Sequence, residues 1–142
     1  MQNRAIEIHD STLDQIAIQK NGEALLYFPQ VYIHSSEGRP AIDAGTGWTQ
    51  EALIRIENAH IDGKLSNETS EAYSGQAHCL SDGSLRIDGS VSDNLIPIPL
   101  DVKGDIELTL EWSGGIVHVH GNSASLELIG TAEYVEEFHP RE

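Results

Sequence analysis

Apolar and polar residues alternate with period two along most of this chain, the pattern of strands with one buried face. No long stretch carries the three-to-four spacing of an amphipathic helix, so the pattern predicts about ten strands and little or no helix. The clearest unit is 14–34. Asn21-Gly22 suits a two-residue turn with positive φ at both positions, and pairing outward sets Lys20 against Glu23, Ile18 against Leu25 and Ile16 against Tyr27. The second arm, through Phe28 to Ile33, is apolar on both faces, as in a central strand or one lining a two-sided core. Residues 52–61 hold a further strand, ended by Asp62-Gly63. A hairpin turning at Asp82-Gly83 would pair Leu80 with Leu85 and His78 with Ile87.

The region 95–129 reads as a meander. Ile96, Ile98, Leu100 and Val102 share one parity, and Ile106, Leu108, Leu110 and Trp112 share another. A three-residue turn at Lys103-Gly104-Asp105 would bring both sets to one face. Gly114-Gly115 would then turn the chain again, with Trp112 opposite Val117 and Leu110 opposite Val119. Pro97 and Pro99 cannot donate to a ladder, which places their strand at a sheet edge. Residues 35–49 and 66–76, rich in Gly, Ser and Thr, are expected to be long loops, and the acidic tail Glu133–Glu142 a last strand that frays. The expectation is an all-β, single-domain antiparallel barrel or two-sheet sandwich over residues 1–142. The barrel is favoured because successive strands follow as hairpins.

Composition narrows the partners. The chain has 142 residues, 23 acidic and 8 basic, for a net charge of −15. Phosphate binding needs clustered Lys and Arg, so nucleic acid and anionic membranes are disfavoured. No apolar run approaches the roughly 20 residues of a spanning helix, and the start lacks the pattern of a secretory signal. A lone cysteine, Cys79, leaves no intramolecular disulfide and fits a cytoplasmic location.

Several residues invite chemistry. His118 and His120 point the same way from one strand, and the hairpin above adds Glu111 opposite His118 and Thr109 opposite His120. Two imidazoles and a carboxylate make a metal ligand set. Val117 and Val119, however, share the core parity of Leu110 and Trp112, which turns both histidines to the opposite, wet face. The His-x-His also resembles the first cupin motif, but Glu127 lies too far along the chain and no second His motif follows. Ile42-Asp43-Ala44-Gly45 is similar to the aspartic protease signature, with Ala44 where that family has a hydroxyl residue. His9, Asp10 and Ser11 are neighbours and cannot converge as a triad. Asp10 and Ser11 suit a corner where side chains hydrogen-bond the backbone.

His9-Asp10-Ser11-x-Leu13, with Ile16 beyond it, resembles the opening of small bacterial all-β proteins of the immunity-protein kind. That resemblance implies a bacterial, cytoplasmic accessory protein and not an enzyme. The charge pattern fits it, because Asp105, Glu107 and Glu111 share one strand face that would steer a basic protein partner. Glu133, Glu136 and Glu137 form a second acidic group. The competing expectation is a barrel enclosing a small apolar ligand, with Tyr27 on the two-sided arm and Trp48 at the mouth. Either way the sequence points to a non-catalytic binding module with no cofactor, and a metal enzyme built on His118 and His120 is the third alternative.

Overall fold

A computed structural model describes residues 2–64 and 72–140, with the backbone alone at 64 and 72–77. These residues form nine strands and no helix: β1 (Asn3–Ile18), β2 (Ala24–Ser36), β3 (Gly45–Glu57), β4 (His60–Lys64), β5 (Ala72–Ile87), β6 (Ser90–Asp93), β7 (Leu95–Ile98), β8 (Asp101–Trp112) and β9 (Gly115–Phe138). All pairings are antiparallel. The order is β6-β5-β8-β9-β3-β2-β1-β7, and β4 adds to β9. β1 also pairs with β5 through Thr12↔Cys79 and Ile16↔Tyr73, so the sheet closes on itself into an uneven, barrel-like ring. Inside lies one cluster that includes Leu13, Ile16, Leu26, Phe28, Ile54, Leu108 and Val119. Each such side chain contributes about 1.5–3 kcal/mol by leaving water.

Bulges shape this sheet. Between Glu7 and Thr12, β1 carries extra residues that β2 lacks; β2 carries one between Phe28 and Val31; β9 carries extra residues opposite Thr49–Glu51. Each bulge shifts the phase of its strand. That corrects the expectation for Leu25–Ile33. The arm looks apolar on both faces because Leu26 and Phe28 face inward before the bulge and Val31 and Ile33 after it, with exposed Pro29-Gln30 between.

Other turn expectations are corrected by register. The first hairpin exists, but Ile18 meets Ala24 and Ile16 meets Leu26, one residue from the expected pairing. Of its turn residues only Gly22 has positive φ, and the Gly22 N–H donates to the Gln19 carbonyl at 2.9 Å. This is a three-residue loop with a glycine bulge, and it brings the apolar pairs to the inner face. Asp82-Gly83 is not a turn: β5 continues through it after a bulge between Leu80 and Asp82, and Leu85 pairs with Leu108. The Asp-Gly that turns is Asp88-Gly89, both at positive φ, joining β5 to β6. Asp62-Gly63 lies inside β4, and Lys103-Gly104-Asp105 forms a bulge within β8. The β8–β9 turn is Ser113-Gly114, which sets Leu110 against Val117.

The expected loop 35–49 is strand at both ends, leaving 37–44 as the connection. Of the loop expected at 66–76, residues 72–76 belong to β5 and 66–71 lie outside the described residues. The proline-bearing strand, β7, does sit at the edge, paired to β1 alone.

Gly83 has no room for a side chain, since a Cβ there would stand 2.5 Å from the Thr109 carbonyl oxygen and 2.8 Å from Ile8. Gly83→Ala is therefore expected to cost about 1–3 kcal/mol in urea unfolding. A neutral result would contradict the strand at this position.

Candidate functional site

β1 changes neighbours at its bulge. Below it, residues 12–17 lie against β5; above it, Arg4–Glu7 lie against β7. The strands fork there. Asn94 holds the fork, since its carbonyl and side-chain oxygens accept from the N–H groups of Ile8 (2.8 Å) and His9 (2.7 Å). Its own N–H donates to the Gly83 carbonyl at 2.9 Å.

The fork leaves an open groove of about 570 Å³ between Gln2–Ala5, Leu95 and Pro97–Pro99 on one side and Leu85, Ile87, Ser90 and Ser92 on the other. A second hollow of about 320 Å³ lies across β1 and is lined by Gln2, Arg4, Ile33, Ser35, Trp48 and Ala132. Register explains both. Ile96, Ile6, Ile33 and Trp48 form one inward-facing row across β7, β1, β2 and β3, and Tyr134 on β9 continues it. Trp48 meets the Tyr134 ring edge-on at 5.3 Å, and its Nε1–H donates to Thr46 Oγ1 at 2.8 Å. The next row outward is Ile98, Arg4, Ser35 and Thr46. The apolar core thus ends in an open mouth with a polar rim.

Of the two residues expected to bind an apolar ligand, Trp48 lines this mouth, from strand β3 and not from a loop. Tyr27 does not join it. It faces outward beside inward Leu26 and Phe28, and its hydroxyl donates to Glu51 Oε2 at 2.6 Å. Arg4 was legible as an odd residue in the alternation Arg4-Ala-Ile6-Glu-Ile8, whose parity points it inward with the isoleucines.

His118 and His120 do lie on the outer face, half-buried, while Val117 and Val119 are fully buried. The register differs from expectation by two residues. Thr109 opposes His118 and Glu107 opposes His120, while Glu111 opposes Ile116. Thr109 Oγ1 lies 2.9 Å from His118 Nδ1, and His120 Nδ1 lies 3.3 Å from Glu107 Oε2. Glu107 also accepts from Arg86 at 2.9 Å, so one of the three carboxylates expected to meet a basic partner is already ion-paired. Asp105 is exposed and Glu111 half-buried, with Asp82 opposite it.

The His9-Asp10-Ser11 segment forms the β1 bulge. Asp10 sits at φ 80°, and the buried Ser11 hydroxyl donates to the Glu7 carbonyl (2.6 Å) while accepting from the Tyr32 N–H (3.0 Å). Glu7, His9 and Asp10 bring donor atoms within 4.8 Å of one another, and they are the one group of that kind among the described residues. Behind them His34, buried between Tyr32 and Phe138, places Nε2 2.9 Å from Glu7 Oε1. That imidazole holds the Glu7 carboxyl below its ordinary range, whereas burial and the neighbouring Glu7 push Asp10 up. Burial and the hydrogen bond to Glu136 push the Tyr32 phenol up. Asp43, the protease-like aspartate, accepts from the Arg39 backbone N–H at 2.7 Å and ties its own loop.

Comparison with protein-family models, with curated proteins and with solved structures finds no match. The geometry alone ranks the sites. Among the described residues, the mouth joins open volume to apolar side chains such as Ile33, Trp48, Leu85 and Ile98, whereas the two histidine sites are occupied by contacts within the protein.

Glu7 supplies a signed test. A carboxyl with a lowered folded pKa adds stability that is complete above its unfolded value, 4.5, and is lost as pH falls through the folded one. Asp10, raised above 3.8, works the opposite way, adding stability that is lost as pH rises through its folded value. Carboxyl NMR titration is expected to place Glu7 below 4.5, and His34→Leu to move it back up. Titration of Glu7 at or above 4.5 in the unaltered protein would contradict the assignment.

Proposed function

We propose that this chain is a non-catalytic binding module that holds a small apolar ligand at the open mouth of its sheet. One observation carries the reading: the inward row Ile96–Ile6–Ile33–Trp48 ends in a hollow lined by Ile33 and Trp48, which shares Gln2 and Arg4 with the larger groove lined by Leu85, Ile87 and Ile98. Volumes of about 570 and 320 Å³ fall in the range of small-molecule sites. Apolar surface left open at the end of a core gains free energy when a ligand displaces its water, at about 25 cal/mol per Å². The strands that carry the mouth are anchored by buried Ile6, Ile33 and Ile96, so a ligand would find it already formed.

A second reading, a basic protein partner on the outer face of β5, β8 and β9, keeps one supporting observation. Asp82 and Glu111 oppose each other directly, and like charges across strands oppose pairing until a cation arrives. Arg86 and His120 already temper Glu107, so we place this reading second.

Nile red, a neutral apolar dye, tests the first reading. Its emission is expected to rise and shift to the blue on binding, with quenching of Trp48. Ala132→Trp, which fills the smaller hollow from a half-buried position, should weaken binding by about tenfold or more. Unchanged dye emission at high protein concentration would contradict the proposal.

A further inference from the structure

The charge of the mouth differs from that of the rest of the molecule. Acidic residues make up 23 of 142, yet no Asp or Glu lines either hollow. The single charged side chain lining them is Arg4, and it lines both. Its position in the alternation makes this more than a surface accident. Arg4 shares the parity of Ile6 and Ile8, one step beyond the last apolar row, flanked by Ile98 on β7 and Ser35 on β2. An inward position at the end of a core ordinarily takes an apolar residue, and a cation there breaks the local pattern in the way functional positions do.

Arg4 also lacks a counter-charge. Arg39 pairs with Asp43, Arg55 with Glu23 and Glu127, and Arg86 with Glu107. Among the described arginines Arg4 alone has no acidic partner. Glu137, at the far end of the same row, lies 3.4 Å from His139. Beside Arg4, the Ser35 hydroxyl donates to Gln2 Oε1 at 3.0 Å, which leaves the N–H donors of the Gln2 amide for a ligand, on a residue that lines both hollows. One guanidinium fork and one amide N–H group suit a planar, singly charged acceptor with two oxygens.

We infer that the ligand of the mouth is an amphipathic carboxylate, its carboxyl group held by Arg4 and Gln2 and its apolar body lying along the hollows on either side. This rests on the reading of the mouth as an apolar-ligand site and names the chemistry of its ligand. A phosphate-bearing ligand fits less well, because a dianion would meet a single cation in a strongly acidic protein.

Decanoate and decan-1-ol, equal in chain length and different in charge, separate the two claims by calorimetric titration at low salt. Decanoate is expected to bind about tenfold more tightly than the alcohol, as a charge-assisted bidentate pair supplies. Arg4→Gln should bring the acid-to-alcohol affinity ratio to about one, and Arg4→Lys should retain part of the preference. Arg4 is exposed, so these variants are expected to keep the circular dichroism of the parent. Equal binding of acid and alcohol would overturn the carboxylate inference and leave the apolar site standing. Binding of neither would overturn both. A decanoate preference that survives Arg4→Gln would overturn the role given to Arg4.

Discussion

Bulges in three strands, β1, β2 and β9, line up with β3 in one belt across the sheet, and the architecture depends on it. Extra residues enter β1 at Ile8–Ser11, β2 at Pro29-Gln30 and β9 at Gly130–Ala132, with Gln50 of β3 bridging to the Gly130 carbonyl at 2.8 Å. A single bulge bends one strand; bulges aligned across neighbours bend the sheet as a whole. Below the belt the strands curl far enough for β1 to meet β5. Above it β1 takes β7 as neighbour, and β9 runs on beyond its pairing with β8, which ends at Ser125. The mouth is the gap these exchanges leave.

The same belt sets the chemistry at each level. Below it, inward positions are filled by Leu, Ile, Val and Phe and exclude water. Above it, the inward rows pass from isoleucine and tryptophan to Arg4, Ser35 and Thr46 within one residue pair. Where the bulge itself lies, displaced backbone groups are taken up by Ser11 and Asn94. The Glu7–His34 contact sits beside this repair on the outer face. It reads as a brace for the bulge, while the groove on the inner side offers space to a ligand.

Much of this was legible in the sequence. Period-two alternation gave the strands, the prolines placed β7 at an edge, and the parity of Val117 and Val119 turned His118 and His120 outward. Register was harder to read, for a physical reason. Glycine serves both tight turns and close backbone approach, and Asp82-Gly83 and Asp62-Gly63 have the composition of turns while serving as crowded strand positions. Gly63 would place a Cβ 2.3 Å from the Ile116 carbonyl oxygen, a contact that depends on a strand distant in sequence. Trp48 was visible as a mouth residue because it is large and apolar. Tyr27 was misplaced because the bulge after Phe28 reverses the faces. Arg4 carried a local signal, its parity with Ile6 and Ile8, but its meaning required knowing that the core ends there.

Closure of β1 on β5 below the belt is the claim that most of this rests on, and the lone cysteine allows a direct measurement. Thr12 faces Cys79 across the two strands. Directly opposed residues lie about 4.5–5.5 Å apart at Cα, within disulfide reach. Thr12→Cys under mild oxidation is expected to form an intramolecular disulfide with Cys79, read by mass spectrometry and peptide mapping, while Ser11→Cys, buried and turned to the Glu7 carbonyl and the Tyr32 N–H, is not. Free thiols or only intermolecular disulfides in the Thr12→Cys protein would mean that the sheet does not close there, and the account of the mouth would fall with it.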